Sequence, residues 1–137
     1  RVSRLTAFFV LLASACGNAA TTLPAVATPD VIRIERNHPK QLLAELKDQE
    51  KVRAVVSFIN ARTSGWNVPW YGPPVGQVYL NLVKDEKVIG NFYVGPWFFG
   101  RDHGNFWSQR ATEREVAALE ALLNVPLLEI IKSAERR

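Results

Sequence analysis

Between residues 31 and 46 the spacing of the apolar positions changes from a strand-like to a helix-like pattern. Residues 31–36 alternate well enough between apolar and polar side chains to predict a first strand. Pro39 follows directly after Asn37 and His38, either of which is suited to cap a helix. The apolar positions behind this proline are Leu42, Leu43 and Leu46. We therefore expect a short helix over residues 39–46.

The next segment has the clearest helical period in the chain. Its apolar side chains fall at positions i, i+3, i+4 and i+7, on one face of a helix. These positions are Val52, Val55, Val56 and Ile59. Asp48 precedes them and is a favourable N-cap, because its carboxylate accepts hydrogen bonds from free backbone N–H groups. The pattern predicts a helix that ends at Ser64 and Gly65.

Residues 77–110 carry the signature of antiparallel strands. Residues 78–83 and 88–94 alternate on either side of a polar turn, which predicts a β-hairpin. Gly95 and Pro96 then turn the chain into residues 97–99, a predicted third strand. We expect a turn over residues 100–105 and a fourth strand over residues 106–110.

The last quarter of the chain predicts two helices. Thr112 and Glu115 have the spacing of a capping box, and the apolar face of a helix follows them. Residues 124–126 break this helix, and residues 127–131 begin another. The expected fold is α+β: a two-layer domain in which an antiparallel meander of three or four strands packs against N-terminal and C-terminal helices.

The first sixteen residues show a different pattern, that of an export signal. Arg1 and Arg4 precede an apolar run over residues 5–12, and small residues lead from there to Cys16. A cationic start, a short apolar core and a small-residue exit mark such a signal. The apolar run falls short of the roughly 20 residues that span a bilayer.

The sequence Ala13-Ser14-Ala15-Cys16 resembles the lipobox of bacterial lipoproteins. The resemblance implies that the Cys16 thiol receives a diacylglyceryl group and that a peptidase cleaves just before it. Residues 1–15 are then the signal peptide, residues 16–30 the lipidated cysteine and a flexible tether, and residues 31–137 one globular domain. Gly17, where inner-membrane lipoproteins carry aspartate, implies the outer membrane facing the periplasm if the organism is Gram-negative.

Two alternatives to lipidation stay open: an ordinary secretory signal cleaved near Ala15 or Ala20, and an uncleaved anchor. The cysteine count favours the lipoprotein, because a lone thiol in an oxidising compartment invites wrong disulfides and a lipid cap prevents them. Two or three acyl chains on one residue also hold a protein at a membrane far better than one.

Charge argues against nucleic acid as a partner. The net charge of +4 falls to +2 when the two arginines of residues 1–15 are removed. The remaining lysines and arginines alternate with acids and form no basic stripe of the kind that phosphate binding requires. The expected membrane attachment is the lipid alone.

Few residues in the chain have the chemistry of an active site. The two histidines are His38 and His103, and the most reactive tripeptide is Arg101-Asp102-His103. No glycine-flanked serine, metal-ligand spacing or phosphate-binding loop accompanies them. We expect no catalytic residue, no metal and no cofactor, and interpret His103 as a polar turn residue or a candidate binding residue.

Aromatic residues are the unusual feature of the domain. Residues 66–74, which we call the aromatic loop, combine three prolines with Trp66, Trp70 and Tyr71. Trp97 lies in a second aromatic cluster further along the chain. Such side chains fill the core of a small domain or anchor an interface, and Trp70 and Tyr71 are the expected accessible pair.

These observations predict a lipid-anchored envelope protein whose aromatic loop binds a protein or glycan partner without catalysis. The first alternative is a small hydrolase or metal-dependent enzyme centred on Asp102 and His103. The second is a purely structural lipoprotein.

Overall fold

The computed structural model describes residues 21–137, in which three helices and six strands succeed one another. The strands are β1 (Val31–Arg36), β2 (Gln41–Leu46), β3 (Val78–Lys84), β4 (Lys87–Gly95), β5 (Phe98–His103) and β6 (Asn105–Arg110). The helices are α1 (Gln49–Asn60), α2 (Glu113–Leu123) and α3 (Leu127–Glu135).

All six strands belong to one antiparallel sheet in the order β2-β1-β3-β4-β5-β6. Strands β3 to β6 form the predicted meander, since each pairs with the next along the chain. Strand β1 pairs with β3 on one side and β2 on the other, and α1 connects β2 to β3. The two-layer α+β architecture is therefore confirmed, with two strands added to the meander.

One face of the sheet meets the helices and forms the core. The alternate residues of the strands that point to this face are fully buried, and the apolar stripe of α1 is buried with them. The largest of these side chains from the strands are Ile32, Ile34, Leu80, Leu82, Phe92 and Phe99. Burial of apolar area against the helices is the main term that stabilises this layer.

Local capping confirms the predicted starts of α1 and α2, whereas α1 ends at Asn60 and not at the predicted Ser64 and Gly65. The Asp48 carboxylate accepts hydrogen bonds from the backbone N–H groups of Glu50 (3.0 Å) and Lys51 (3.1 Å). Thr112 and Glu115 form the predicted capping box at the start of α2. Asn124 ends α2 in the left-handed conformation, which asparagine tolerates better than most residues.

The helix predicted over residues 39–46 is wrong, because this segment is strand β2. Its backbone pairs with β1 from Ile32 opposite Leu46 to Arg36 opposite Gln41. A helix of two turns is marginal by itself, whereas the edge of β1 offers a row of unpaired backbone groups. This long-range pairing outweighs the weak helical spacing of the leucines.

The turn predicted over residues 100–105 is also much shorter in the structure. Strand β5 continues to His103, and β6 begins at Asn105, so that Gly104 alone separates them. Gly104 has a φ of +71°, a conformation that a residue with a side chain rarely adopts. The predicted third strand of the meander is β5, which begins at Phe98, one residue later than predicted.

Residues 21–30, predicted as part of a flexible tether, pack against the domain. Leu23 is buried in the core, and its N–H donates to the Thr63 carbonyl at 3.3 Å. The Asn60 side chain holds Val26 by hydrogen bonds to both of its backbone groups. The folded unit therefore starts at least ten residues before the predicted boundary at residue 31. The predicted signal peptide (residues 1–15), Cys16 and residues 17–20 lie outside the described residues.

Within residues 21–137, no helix combines the length and the apolar character that crossing a membrane requires.

The contact between α2 and the end of α1 gives a pH-dependent prediction. Glu115 is half-buried and forms an ion pair with Arg62. Burial would raise the pKa of Glu115, but its hydrogen bonds with Thr112 and Arg62 and the charge of Arg62 together lower it. A carboxylate with a lowered pKa stabilises the fold above the ordinary glutamate pKa, and this stabilisation is lost as the pH falls through the lowered value.

We expect Glu115→Gln to lower the free energy of unfolding by about 1 kcal/mol at neutral pH, because the capping box and the ion pair are weakened. Chemical denaturation across pH should show the difference from the parent shrinking below about pH 4. The matched control is Glu113→Gln, whose exposed pair with Lys132 should contribute less than about 0.5 kcal/mol. Equal effects of the two substitutions, or a difference that grows in acid, would contradict this assignment.

Candidate functional site

The aromatic loop is fixed at its base by Trp66. This side chain is fully buried, and its indole N–H donates to the Arg62 carbonyl at 2.7 Å. The guanidinium of the buried Arg101 lies 5.7 Å from the Trp66 ring centre. Asn67 and Ser108 exchange two backbone hydrogen bonds of 2.8 and 2.7 Å, which attach the loop to β6. The base of the loop is therefore fixed both to the core and to β6.

At the tip of the loop, Trp70 and Tyr71 lie in solvent. Trp70 is 93% exposed and Tyr71 is 69% exposed. Their rings meet edge to face with centres 5.7 Å apart. The Gly72 N–H donates to the Pro69 carbonyl at 3.3 Å and closes the turn that presents them. These two rings form the most exposed aromatic pair among the described residues.

A shallow bay opens on one side of the loop, between Tyr71 and Trp97. Its volume is about 520 Å³, within the range of small-molecule sites, and Val75 and Arg110 also line it. Trp97 is 46% exposed and has a φ of +63°, which is rare and strained for so large a side chain. Trp97 lies in the turn that precedes β5, and its side chain lines the bay.

The sheet face that the helices leave uncovered carries a row of aromatic rings, which we call the aromatic stripe: Tyr79, Tyr93 and Phe106. The ring centres of Tyr79 and Tyr93 lie 4.7 Å apart, and those of Tyr93 and Phe106 lie 5.4 Å apart. Tyr93 and Phe106 belong to strands separated by β5, and they touch because Gly100 between them has no side chain. A Cβ atom at Gly100 would come within 2.5 Å of the Phe106 ring.

Polar side chains border the aromatic stripe. The Asn37 amide nitrogen donates to the Tyr79 hydroxyl at 2.8 Å, and the Asn81 amide nitrogen donates to Glu35 at 3.1 Å. The Tyr93 hydroxyl donates to the Asp102 carboxylate. Each polar group is therefore held in a defined orientation on an otherwise aromatic surface.

Two grooves separate the aromatic loop from this sheet face. The amide groove, of about 430 Å³, is lined by Asn37, Asn81 and all three rings of the aromatic stripe. The loop groove, of about 600 Å³, is lined by Trp70, Asp102 and Phe106 among others. Pro73 and Phe106 line both, so the two grooves adjoin beneath the loop.

The residues singled out from the sequence lie in the core, on the aromatic loop, beside the bay and at the end of β5. Trp66 is in the core and presents no ring surface to a ligand, whereas Trp70 and Tyr71 are accessible, as expected. Trp97 lies across the bay from Tyr71. His103 is exposed at the end of β5, where its carbonyl accepts a hydrogen bond of 2.9 Å from the Trp107 indole.

Asp102 and His103 do not form an evident catalytic pair. They are consecutive residues of one strand, so their side chains point to opposite faces of the sheet. Asp102 accepts a hydrogen bond from Tyr93 and lines the loop groove. Among residues 21–137, no three His, Cys, Asp or Glu side chains cluster closely enough to hold a metal ion.

Sequence reasoning missed the aromatic stripe. Tyr79 and Tyr93 occupy the non-core positions of the predicted hairpin, which was a sign that their rings lie on the second face. No sequence signal placed Phe106 beside them, because that contact depends on the register of β4, β5 and β6 and on the missing side chain of Gly100.

Comparison of the chain with protein-family models, with curated proteins and with solved structures gives no match.

The bond between Tyr93 and Asp102 gives a second pH-dependent prediction. Burial, together with the hydrogen bond and the negative charge of Asp102, raises the pKa of Tyr93 above that of an ordinary tyrosine. The folded protein then keeps this proton at a pH where the unfolded chain releases it. Stability that depends on the protonated phenol is therefore present below about pH 10 and is lost as the pH rises further.

We expect Tyr93→Phe to lower the free energy of unfolding by about 1 kcal/mol at neutral pH, because one hydrogen bond is lost. Above about pH 10 the parent should lose stability more steeply than the variant, so the difference should shrink in alkaline denaturation series. Tyr71→Phe, at an exposed ring, is the control and should track the parent. A difference that stays constant with pH would contradict the role of this phenol.

Proposed function

We propose that this protein is a non-catalytic binding module of the bacterial cell envelope, and that Trp70 and Tyr71 contact its protein or glycan partner. The observation that carries the proposal is the exposure of these two rings, 93% and 69%, on a loop whose base is fixed in the core. Tryptophan and tyrosine are the residues that most often dominate the binding energy of interfaces.

The prolines of the loop support the same function because they reduce the conformational entropy that the loop would lose when a partner binds. Pro69 and Pro73 flank the exposed pair, and the hydrogen bond between Gly72 and Pro69 closes the intervening turn. A loop that already holds its bound conformation loses little conformational freedom when a partner binds. The two aromatic rings also have few rotatable bonds, so ordering them costs less than ordering long aliphatic side chains.

The exposed rings add little to the stability of the free protein, and this also favours a binding function. Surface substitutions outside the core usually change stability by less than about 0.5 kcal/mol. Trp70 is nearly as exposed as in an extended chain, so the fold gains little from it. Tyr71, Val75 and Trp97 add further apolar surface around one bay, which makes a contiguous patch instead of isolated exposed residues.

The envelope part of the proposal rests on the lipobox-like residues 13–16. A lipid on Cys16 would place the domain next to the membrane, because residues 21–30 are packed on the domain and only residues 17–20 lie between them and the cysteine. A partner in this arrangement is a component of the envelope within reach of the loop.

The loop is tested by the double substitution of Trp70 and Tyr71 to alanine. Co-sedimentation with insoluble cell-wall fragments and cross-linking to envelope proteins are the two binding assays. We expect the retained or cross-linked fraction to fall at least tenfold, as for hot-spot residues, while the free energy of unfolding changes by less than about 0.5 kcal/mol.

The matched control replaces Val88 and Ile89 by alanine, since both are exposed and line neither the bay nor the two grooves beside the loop. This control should bind as the parent does. If the folded loop variant keeps every interaction of the parent, the proposed surface is wrong.

Cys16→Ser tests the membrane anchor. Metabolic labelling with an alkyne-bearing fatty acid should label the parent chain and not the variant, because the serine hydroxyl does not replace the thiol that the lipid modifies. Intact mass of the mature parent should show two or three acyl chains on the residue at position 16. A mature parent with a bare thiol, or without this residue, would contradict the lipid anchor.

A further inference from the structure

The aromatic stripe and the two grooves beside it extend the candidate binding surface beyond the loop tip, and Trp70 is the tip residue that lines one of them. We infer that the amide groove and the loop groove together form a binding site for a neutral oligosaccharide, which lies across the aromatic stripe and under the aromatic loop. This inference rests on the proposed binding function and names the class of partner.

The size and shape of the site fit a short chain ligand. The two grooves have volumes of about 430 and 600 Å³, each in the range of small-molecule sites, and they adjoin at Pro73 and Phe106. Asn37 lines the amide groove and Trp70 the loop groove, so the combined site is bordered by β1 and by the tip of the loop.

The aromatic stripe supplies partly exposed apolar surface across three strands, with Tyr93 and Phe106 stacked on each other and Tyr79 edge to face with Tyr93. Tyr79, Tyr93 and Phe106 are partly exposed, and their ring centres are 4.7 and 5.4 Å apart along the row. Sugar rings present faces of C–H groups that pack against such rings, as other apolar groups do. A row of partly exposed rings therefore favours a ligand that repeats such C–H patches along its length.

The polar groups beside the rings match hydroxyl groups. The Asn37 amide nitrogen donates to the Gly76 carbonyl and to the Tyr79 hydroxyl, so this side chain offers a ligand its carbonyl oxygen. The Asn81 amide nitrogen makes one hydrogen bond, to Glu35, so Asn81 offers a ligand its carbonyl oxygen and a second N–H. Asp102 supplies a carboxylate that already accepts from Tyr93. These acceptors, set beside ring faces, are suited to a ligand that carries many hydroxyl donors.

The charges of the lining residues disfavour an anionic polymer as the ligand. Among the described residues that line the two grooves there are one carboxylate, Asp102, one histidine, His38, and no lysine or arginine. A phosphorylated, sulfated or uronic-acid polymer would find no lysine or arginine there and would meet the negative charge of Asp102. A peptide that binds by adding a strand needs a free sheet edge, whereas these grooves lie across a face.

The inference is tested by titrating the full chain with chitotetraose and cellotetraose, two neutral tetrasaccharides, and with an anionic heparin tetrasaccharide. Calorimetry measures affinity for the parent and for Phe106→Ala, Asn81→Ala and Val88→Ala. We expect saturable binding of at least one neutral ligand and at least tenfold weaker binding by Phe106→Ala. Asn81→Ala should weaken binding several-fold. The exposed Val88 lines neither groove, so its variant should match the parent.

Each outcome decides the inference, and circular dichroism confirms that every variant is folded. If Phe106→Ala does not fold, Asn81→Ala keeps the site testable, since Asn81 is partly exposed. Binding of a neutral ligand that is unchanged in all groove variants would overturn the site. Stronger binding of the heparin fragment would overturn the ligand class.

The failure of this inference can be told apart from the failure of the proposed function. If no tetrasaccharide binds the parent at millimolar concentration while the loop variant still loses cross-linking to an envelope protein, the oligosaccharide site is wrong and the binding loop stands. If the oligosaccharide site is confirmed and the loop variant keeps every interaction, the oligosaccharide site stands and the proposed binding loop is wrong.

Discussion

The structure depends on a sheet that is covered by helices on one face only. The three helices bury the alternate side chains of the strands, and this layer contains nearly all of the fully buried residues. The second face has to be stabilised without helices. It is stabilised by contact between aromatic rings, by hydrogen bonds that hold Asn37, Asn81 and Asp102, and by a proline-rich loop that lies beside them. These are also the groups with which a protein can bind a ligand.

The tryptophans show how one residue type has two roles in this arrangement. Trp66 is fully buried, with its N–H bonded to a carbonyl and its ring beside the guanidinium of Arg101, so it fixes the loop to the core. Trp70, four residues later, is almost fully exposed and contributes little burial. The first residue provides the rigidity that gives the second a defined position. This division between anchor and exposed tip makes the loop suitable for recognition.

Local patterns in the sequence predicted the local parts of this fold. Helix α1, the β3–β4 hairpin and the capping box of α2 follow from periodicity and capping chemistry that act within a few residues. Strand β2 was mistaken for a helix because its pairing with β1 is not encoded in the leucine spacing. The exposure of Trp70 and Tyr71 was predicted from the prolines around them. The contact of Phe106 with Tyr93 could not be predicted, because it requires the register of three strands and the absence of a side chain at Gly100.

The central claim is that a buried anchor presents the Trp70 and Tyr71 rings to solvent in the free protein. Photochemically induced dynamic nuclear polarisation measures this directly, because a dye in solution polarises only the tryptophan and tyrosine rings that it can touch. With the resonances assigned, the account predicts strong polarisation of Trp70 and Tyr71 and none of Trp66, in keeping with exposed fractions of 93%, 69% and 0%. A silent Trp70, or a polarised Trp66, would contradict it.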